Sequence, residues 1–300
     1  MKHLIVVAGA TASGKTSLAI RLAKHFKTVI ISADSRQFYR EMNIGTAKPT
    51  PDELAEAKHY FIDNLSIHDE YSVGQYERDT IALLEKLYQN HDVVIMAGGS
   101  GLFIQAVCEG LDKFPDVPES TRAALIDAFE KDGIEPLQQE LQVADPDYYA
   151  TVDTQNAHRL IRALEICRTT GKPYSSFRTA KKANRAFSPI KIALNWERSV
   201  LYDRINLRVD LMLEAGLEAE AKSLLPNQHL NSLQTVGYQE LFDFFNKKID
   251  QKEAIRLIKR NSRRYAKRQL TWLRRSGDIH FFEPSNQNKI VDFLEKKITN

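Results

Sequence analysis

The chain has 300 residues, 43% of them hydrophobic and 27% charged, with a net charge of +3. This is the composition of an ordinary globular protein of one or two domains, and it excludes disordered, collagen-like and membrane-embedded classes. The two cysteines, Cys108 and Cys167, are too few for a disulfide framework or a cysteine-built zinc site. Both are expected to be buried free thiols.

The first element is a strand over the apolar, β-branched run "HLIVVA", His3 to Ala8. It leads into "GATASGKT", and then into "SLAIRLAKHF", where Leu18, Leu22 and Phe26 share one helical face. Strand, glycine loop and helix in that order are the context of the G-x-x-x-x-G-K-[ST] phosphate-binding pattern. The backbone of Gly9, Ala10, Thr11, Ala12, Ser13, Gly14, Lys15 and Thr16 would cradle a polyphosphate at a helix N-terminus. Lys15 would reach its terminal phosphates, and Thr16 would ligate a Mg²⁺.

Further strands are expected at "TVIISA" (28–33), "DVVIMA" (92–97) and "IKIALNW" (190–196). Between them lie the helical patterns "DELAEAKHYF", "SVGQYERDTIALLEKLYQN" and "AHRLIRALEICRTT". Alternation of this kind indicates a parallel sheet with crossover helices. From Asp112 to Asp153 the chain has Pro-marked breaks and helical patterning without a strand, as expected of a small all-helical insertion. The expected division is therefore core over 1–111, insertion over 112–153 and a second core part over 154–300. That last part is mostly helical and includes one long run, "SVLYDRINLRVDLMLEAGLEAEAKSLL", with a peripheral helix after Pro284.

No stretch approaches the roughly 18 apolar residues of a membrane span, and the short run ahead of the glycine loop does not resemble a signal peptide. A cytoplasmic protein without membrane contact is expected.

Positive charge is concentrated near the C-terminal end. "IRLIKRNSRRYAKRQLTWLRR" (255–275) carries nine basic residues and no acidic one, among them Arg263, Arg264, Lys267 and Arg268. The remainder of the chain is therefore net negative. An apolar stripe of Ile255, Ile258, Tyr265, Leu270, Trp272 and Leu273 would dock this helix on the body. Its charged face is either solvated or meets a polyanion such as nucleic acid. Trp272 suits core packing as well as base stacking.

In open parallel sheets, ligands sit beyond the carboxyl ends of the strands. The phosphate loop, "DSRQ" (34–37) and "GGSG" (98–101) all follow strands and should converge on one cleft. There Asp34 is a metal ligand, a general base, or an Asx-turn residue. Ser100 is a hydrogen-bond donor to a ligand or part of a simple turn. Strand 93–97 ends in Ala-Gly-Gly without the carboxylate that most P-loop ATPases place there. An ATP-driven motor is therefore disfavoured. Small-molecule kinases, nucleotide-gated RNA binders and enzymes that hold another phosphate compound stay open.

The stretches "GATASGKT", "ISADSRQFYREMNIGTAKP", "GGSGLF", "HRLIRALEI", "DRINLRVDLMLEAGLEAE", "TVGYQE" and "YAKRQLTWLR", taken in order, resemble the tRNA dimethylallyltransferases over nearly the whole chain. Ser100 and Phe103 stand where that family often has Thr and Tyr. The resemblance implies a P-loop NTPase-like α/β fold, and nothing in the sequence demands more than a monomer. It also implies transfer of a dimethylallyl group from dimethylallyl diphosphate to the exocyclic amine of the adenosine 3′-adjacent to the anticodon. In that reading the loop, Mg²⁺ on Thr16, and Arg208 stabilise the departing diphosphate, and Asp34 takes the proton from the amine. It further implies that Asp34, Ser35, Arg36, Gln37 and Ser100 hold a flipped nucleotide. His158, Arg159, Leu160, Ile161 and Arg162, with Arg122, would contact the anticodon stem-loop, and Lys267 and Arg268 its phosphates. The runner-up is a P-loop kinase for a small metabolite, with Asp34 activating the acceptor hydroxyl.

Overall fold

A computed structural model describes residues 1–179 and 182–299. The chain divides into two compact units, Met1–Glu109 with Asn184–Asn300, and Gly110–Ala183. The first is built on six parallel strands in the spatial order β3-β2-β4-β1-β5-β6. They are β1 (Lys2–Ala8), β2 (Ile30–Ser32), β3 (His59–Tyr60), β4 (Val93–Gly98), β5 (Phe187–Leu194) and β6 (Ile279–Phe282). β1 lies between β4 and β5, with Val7 opposite Ala97 and Ile192. Strands buried on both faces need continuous apolar runs, and β1 has one. Leu4, Val6 and Ala8 enter one core layer, and Ile5 and Val7 the other.

The helices of this unit are α1 (Lys15–His25), α2 (Pro51–Glu56), α3 (Val73–Leu87) and α4 (Gly101–Glu109), then, after the second unit, α9 (Arg198–Glu214), α10 (Leu217–Leu224), α11 (Tyr238–Phe245), α12 (Gln251–Arg275) and α13 (Gln287–Thr299). The second unit holds α5 (Glu119–Asp132), α6 (Glu135–Ala144), α7 (Pro146–Tyr149) and α8 (Ala157–Thr170). It contains no strand among the described residues. Cys108 and Cys167 are both buried and free.

The second unit extends further than the sequence suggested. Helix α8 was expected to belong to the core from residue 154 onward. Instead Leu160, Ile161 and Leu164 pack on Leu125 of α5 and on Leu137 and Leu141 of α6, so the helix is part of the second unit's own core. Two other expectations are corrected. "DELAEAKHYF" yields the short α2 and then β3, not one helix. The long run after Arg198 is helical as expected, in two helices separated at Gly216, whose φ of 100° lies in the left-handed region that favours glycine. The terminal helix α13 is less peripheral than expected, because Ile290 and Leu294 are fully buried in one of the sheet's core layers.

A partly buried network joins three of the quoted sequence stretches. The Glu220 carboxylate accepts from the backbone N–H groups of Asn43, Ile44 and Gly45 at 2.8–3.0 Å. It also accepts from Tyr238 Oη at 2.6 Å. A Cβ at residue 45 would lie 2.5 Å from the Tyr238 ring, so only glycine fits there. Glu240 in turn accepts from Gly237 N and from Asn261 Nδ2, tying α11 to α12.

Candidate active site

The loops after β1, β2 and β4 lie at the carboxyl end of the sheet. Most of the phosphate loop, Asp34 and Gln37, and Ala97 and Gly98 line a single cleft of about 410 Å³, joined by Arg204, Arg208, Tyr265 and Gln269 from the helical part. The loop carries backbone strain, with Ala12 at φ 61° and Gly14 at φ 91°. Helix α1 begins at Lys15 with no side chain capping its first N–H groups, which leaves them for an anion. Ser13 Oγ is buried with no hydrogen-bond partner among the described residues.

Lys15 donates to the Ala10 carbonyl at 2.7 Å. Burial, reinforced by the charge of Arg208 and opposed by Asp34, brings its pKa down from 10.5 to about 8. The two arginines of "DRINLRVD" divide their work. Arg204 Nε donates to the Ala12 carbonyl at 2.9 Å, and its guanidinium lies 4.4 Å from the Trp196 ring. Trp196 itself donates to Ser13 O at 2.8 Å. Arg204 and Trp196 therefore shape the loop. Arg208 comes within 3.5 Å of Thr11 Oγ1 and makes no ion pair among the described residues. Burial works against its charge and Asp34 supports it.

Asp34 accepts from the Arg36 N–H at 3.0 Å, an Asx turn, while it lines the cleft. The two roles are compatible, because the turn fixes the direction of the carboxylate. Gln37 is held by protein groups: it donates to the carbonyls of Thr46 and Ala47 at 3.3 and 3.1 Å and accepts from Ser32 Oγ. Arg36 donates to the carbonyl of Asn231 at 3.0 Å. Ser100 Oγ accepts from the Ser35 N–H at 3.1 Å.

Two cleft residues were not foreseen as ligand-site residues. Tyr265 lines the cleft beside Asp34, with its phenol pushed up to about 12, chiefly by burial. Gln269 is buried and bonded to both Thr11 and Gly99. Both fall in the quoted stretch "YAKRQLTWLR", and their i, i+4 spacing puts them on one face of α12.

The RNA-facing expectations meet mixed outcomes. His158 and Arg159 are exposed. Leu160 and Ile161 are buried core residues of the second unit, because the helical period turns them inward, so their side chains offer nothing to an external partner. Arg122 and Arg162 both pair with the buried Glu165. Within α12, the lack of acidic residues between 255 and 275 did not leave every cation unpaired. Lys259 pairs with Asp210, Arg256 with Glu253, and Arg263 donates to Asn206. Arg264, Lys267 and Arg268 are exposed and have no carboxylate partner among the described residues. Trp272 packs over Gly101, where a Cβ would lie 2.3 Å from its ring, and joins a core layer. Of its two open roles, it fills the packing one.

The sequence model described as IPP transferase matches residues 37–276. The chain belongs to the IPP transferase family. A tRNA dimethylallyltransferase of Christiangramia forsetii is 55% identical over 99% of this chain and 98% of its own length. Among solved structures, the full-length tRNA isopentenylpyrophosphate transferase of Bacillus halodurans superposes with a TM-score of 0.74 at 35% identity, covering 100% of this chain and 97% of that one. A eukaryotic dimethylallyltransferase acting on tRNA gives a TM-score of 0.79 at 27% identity, covering 94% of this chain and 74% of that one. The fold is P-loop NTPase-like, as the glycine loop and strand alternation indicated. Within the IPP transferase family, the strand-end carboxylate missing from β4 is no defect, since alkyl transfer needs no activated water.

Proposed function

We propose that the cleft transfers a dimethylallyl group from dimethylallyl diphosphate to the exocyclic amine of the adenosine 3′-adjacent to the anticodon in tRNA, releasing diphosphate. The observation that carries this reading is the placing of an anion cradle and a carboxylate without an ion-pair partner among the described residues in one cleft: Lys15, Arg208 and the α1 N-terminus together with Asp34.

Breaking the allylic carbon–oxygen bond builds negative charge on the leaving group. The loop N–H groups, Lys15 and Arg208 are positioned to receive it. As the new carbon–nitrogen bond forms, the amine sheds a proton, and Asp34 accepts it. A target base stacked in an RNA loop reaches the cleft only when flipped. The exposed Arg264, Lys267 and Arg268, with His158 and Arg159, are the side chains that would meet the RNA backbone.

Magnesium fits the residues present. Mg²⁺ is commonly held by one or two protein oxygens together with substrate phosphates and water, so it needs no carboxylate cage. Thr16 lines the cleft beside Asp34 and would hold the ion against the diphosphate. When bound, Mg²⁺ adds positive charge to the leaving group's surroundings.

With tRNA as substrate the place of work is the cytoplasm. No described helix is long and apolar enough to cross a membrane. A single copy supplies every cleft residue named, in keeping with a monomer.

The test is incubation with Mg²⁺, dimethylallyl diphosphate and unmodified tRNA, followed by nuclease digestion and mass analysis of the nucleosides. A five-carbon addition on adenosine beside the anticodon is expected. No addition, with phosphate transfer from ATP to a small acceptor instead, would overturn the reading.

A further inference from the structure

We propose that Gln269 is a positioning residue of the donor site, its side-chain amide bridging the phosphate loop to the glycine loop after β4 and holding the first in its anion-receiving shape. The inference rests on the diphosphate reading above.

Gln269 is only 7% exposed. Its Oε1 accepts from the Thr11 N–H at 2.9 Å, and its Nε2 donates to the Gly99 carbonyl at 3.0 Å. A single amide thus satisfies one backbone donor and one backbone acceptor on the loops that follow β1 and β4. Hydrophobic packing could not replace it without stranding both groups. The fit has a steric counterpart, because a Cβ at residue 99 would sit 2.2 Å from Nε2, so the amide enters only over a glycine.

The bonded Thr11 N–H immediately precedes Ala12, held in the left-handed region, and Thr11 Oγ1 lies 3.5 Å from Arg208 Nη1. Pinning residue 11 therefore sets both the strained turn and the arginine's approach. Gln269 belongs to the quoted stretch "YAKRQLTWLR", whose Lys267 and Arg268 the resemblance assigned to RNA phosphates. Its neighbours Lys267 and Arg268 do face outward, but the amide turns inward.

The test uses the full-length protein with Gln269→Met and Gln269→Glu. For Q269M, the KM for dimethylallyl diphosphate and the inhibition constant for inorganic diphosphate should both rise about tenfold, while tRNA affinity stays at the wild-type level. In Q269E, the ionised carboxylate still accepts from Thr11 but repels the Gly99 carbonyl. Once protonated, its O–H donates to Gly99 and its C=O accepts from Thr11, reproducing the amide. Burial against a carbonyl raises a carboxyl pKa. The Q269E-to-wild-type ratio of donor KM should therefore fall toward one as pH drops from about 8 to about 6, a response that a purely structural loss would not give.

Unchanged diphosphate inhibition in Q269M, a loss of tRNA affinity in its place, or a pH-independent ratio for Q269E would overturn the assignment. Lys15→Ala separates the two levels. If K15A binds inorganic diphosphate as wild type does, the donor-site reading fails and this inference with it. If K15A loses binding and Q269M does not, only the role of Gln269 fails.

Discussion

Replacing Lys15 with methionine should make the protein more stable and catalytically dead. Burial and Arg208 bring the ammonium's pKa from 10.5 to about 8. That difference corresponds to at most about 3 kcal/mol held against folding at pH 7. The bond to the Ala10 carbonyl at 2.7 Å offsets part of it, so Lys15→Met should stabilise by about 1–3 kcal/mol in urea unfolding at pH 7. The pH dependence has a definite sign. Below pH 8 both folded and unfolded chains carry the proton, and the penalty is complete. Between about 8 and 10.5 the unfolded chain binds more protons than the folded one, so wild-type stability rises relative to K15M and the gap closes. Diphosphate supplies the countercharge that makes the buried ammonium favourable, which is why a destabilising group belongs there. K15M should accordingly show no binding of inorganic diphosphate by calorimetry. A K15M variant no more stable than wild type at pH 7, or a stability gap that persists undiminished at pH 9.5, would refute the reasoning.

Asp34→Asn should lower single-turnover prenyl transfer by about 10²–10⁴ with tRNA and diphosphate affinities retained; normal turnover with lost RNA binding would remove Asp34 from proton transfer. Arg208→Ala should cost roughly ten- to a hundredfold in kcat/KM for the donor with little change in melting temperature, whereas Arg204→Ala should lower melting temperature as well, because Arg204 braces Ala12 and Trp196. Neutralising Arg264, Lys267 and Arg268 together should reduce the slope of log tRNA affinity against log salt by about 2–3, while Arg263→Gln, whose guanidinium is already bonded to Asn206, should leave the slope unchanged.

How far the sequence could be read depended on whether a residue's partner was local. β1, β2, β4 and β5 announce themselves as apolar runs because each is buried on both faces. β3 and β6 do not, since they are edge strands: β3 has two half-buried residues, and β6 places His280 and Phe281 in solvent. Asp34 and Lys15 were legible because strand-end loops converge by topology. Gln269 and Tyr265 were not, because the groups they meet lie in loops more than 160 residues away, and the apolar stripe of α12 shows which face docks but not which strand-end loops it meets. Leu160 and Ile161 show the opposite case. The apolar period of α8 (160, 161, 164) already pointed those two inward and left 158, 159 and 162 outward, but the motif containing them was taken whole.

Motif membership and chemical duty are thus different things in this fold. Glu220, Gly45, Tyr238 and Glu240 all fall within the quoted stretches, yet their polar groups serve one another and the backbone. The groups left for reaction are few. Arg208 works against the charge of Lys15 in the free protein, and Asp34 favours both cations. A bound diphosphate satisfies the two cations directly, so the cationic part of the cleft is complete only when a donor fills it, and the amine's proton acceptor then stands in the same cleft as the group to be transferred.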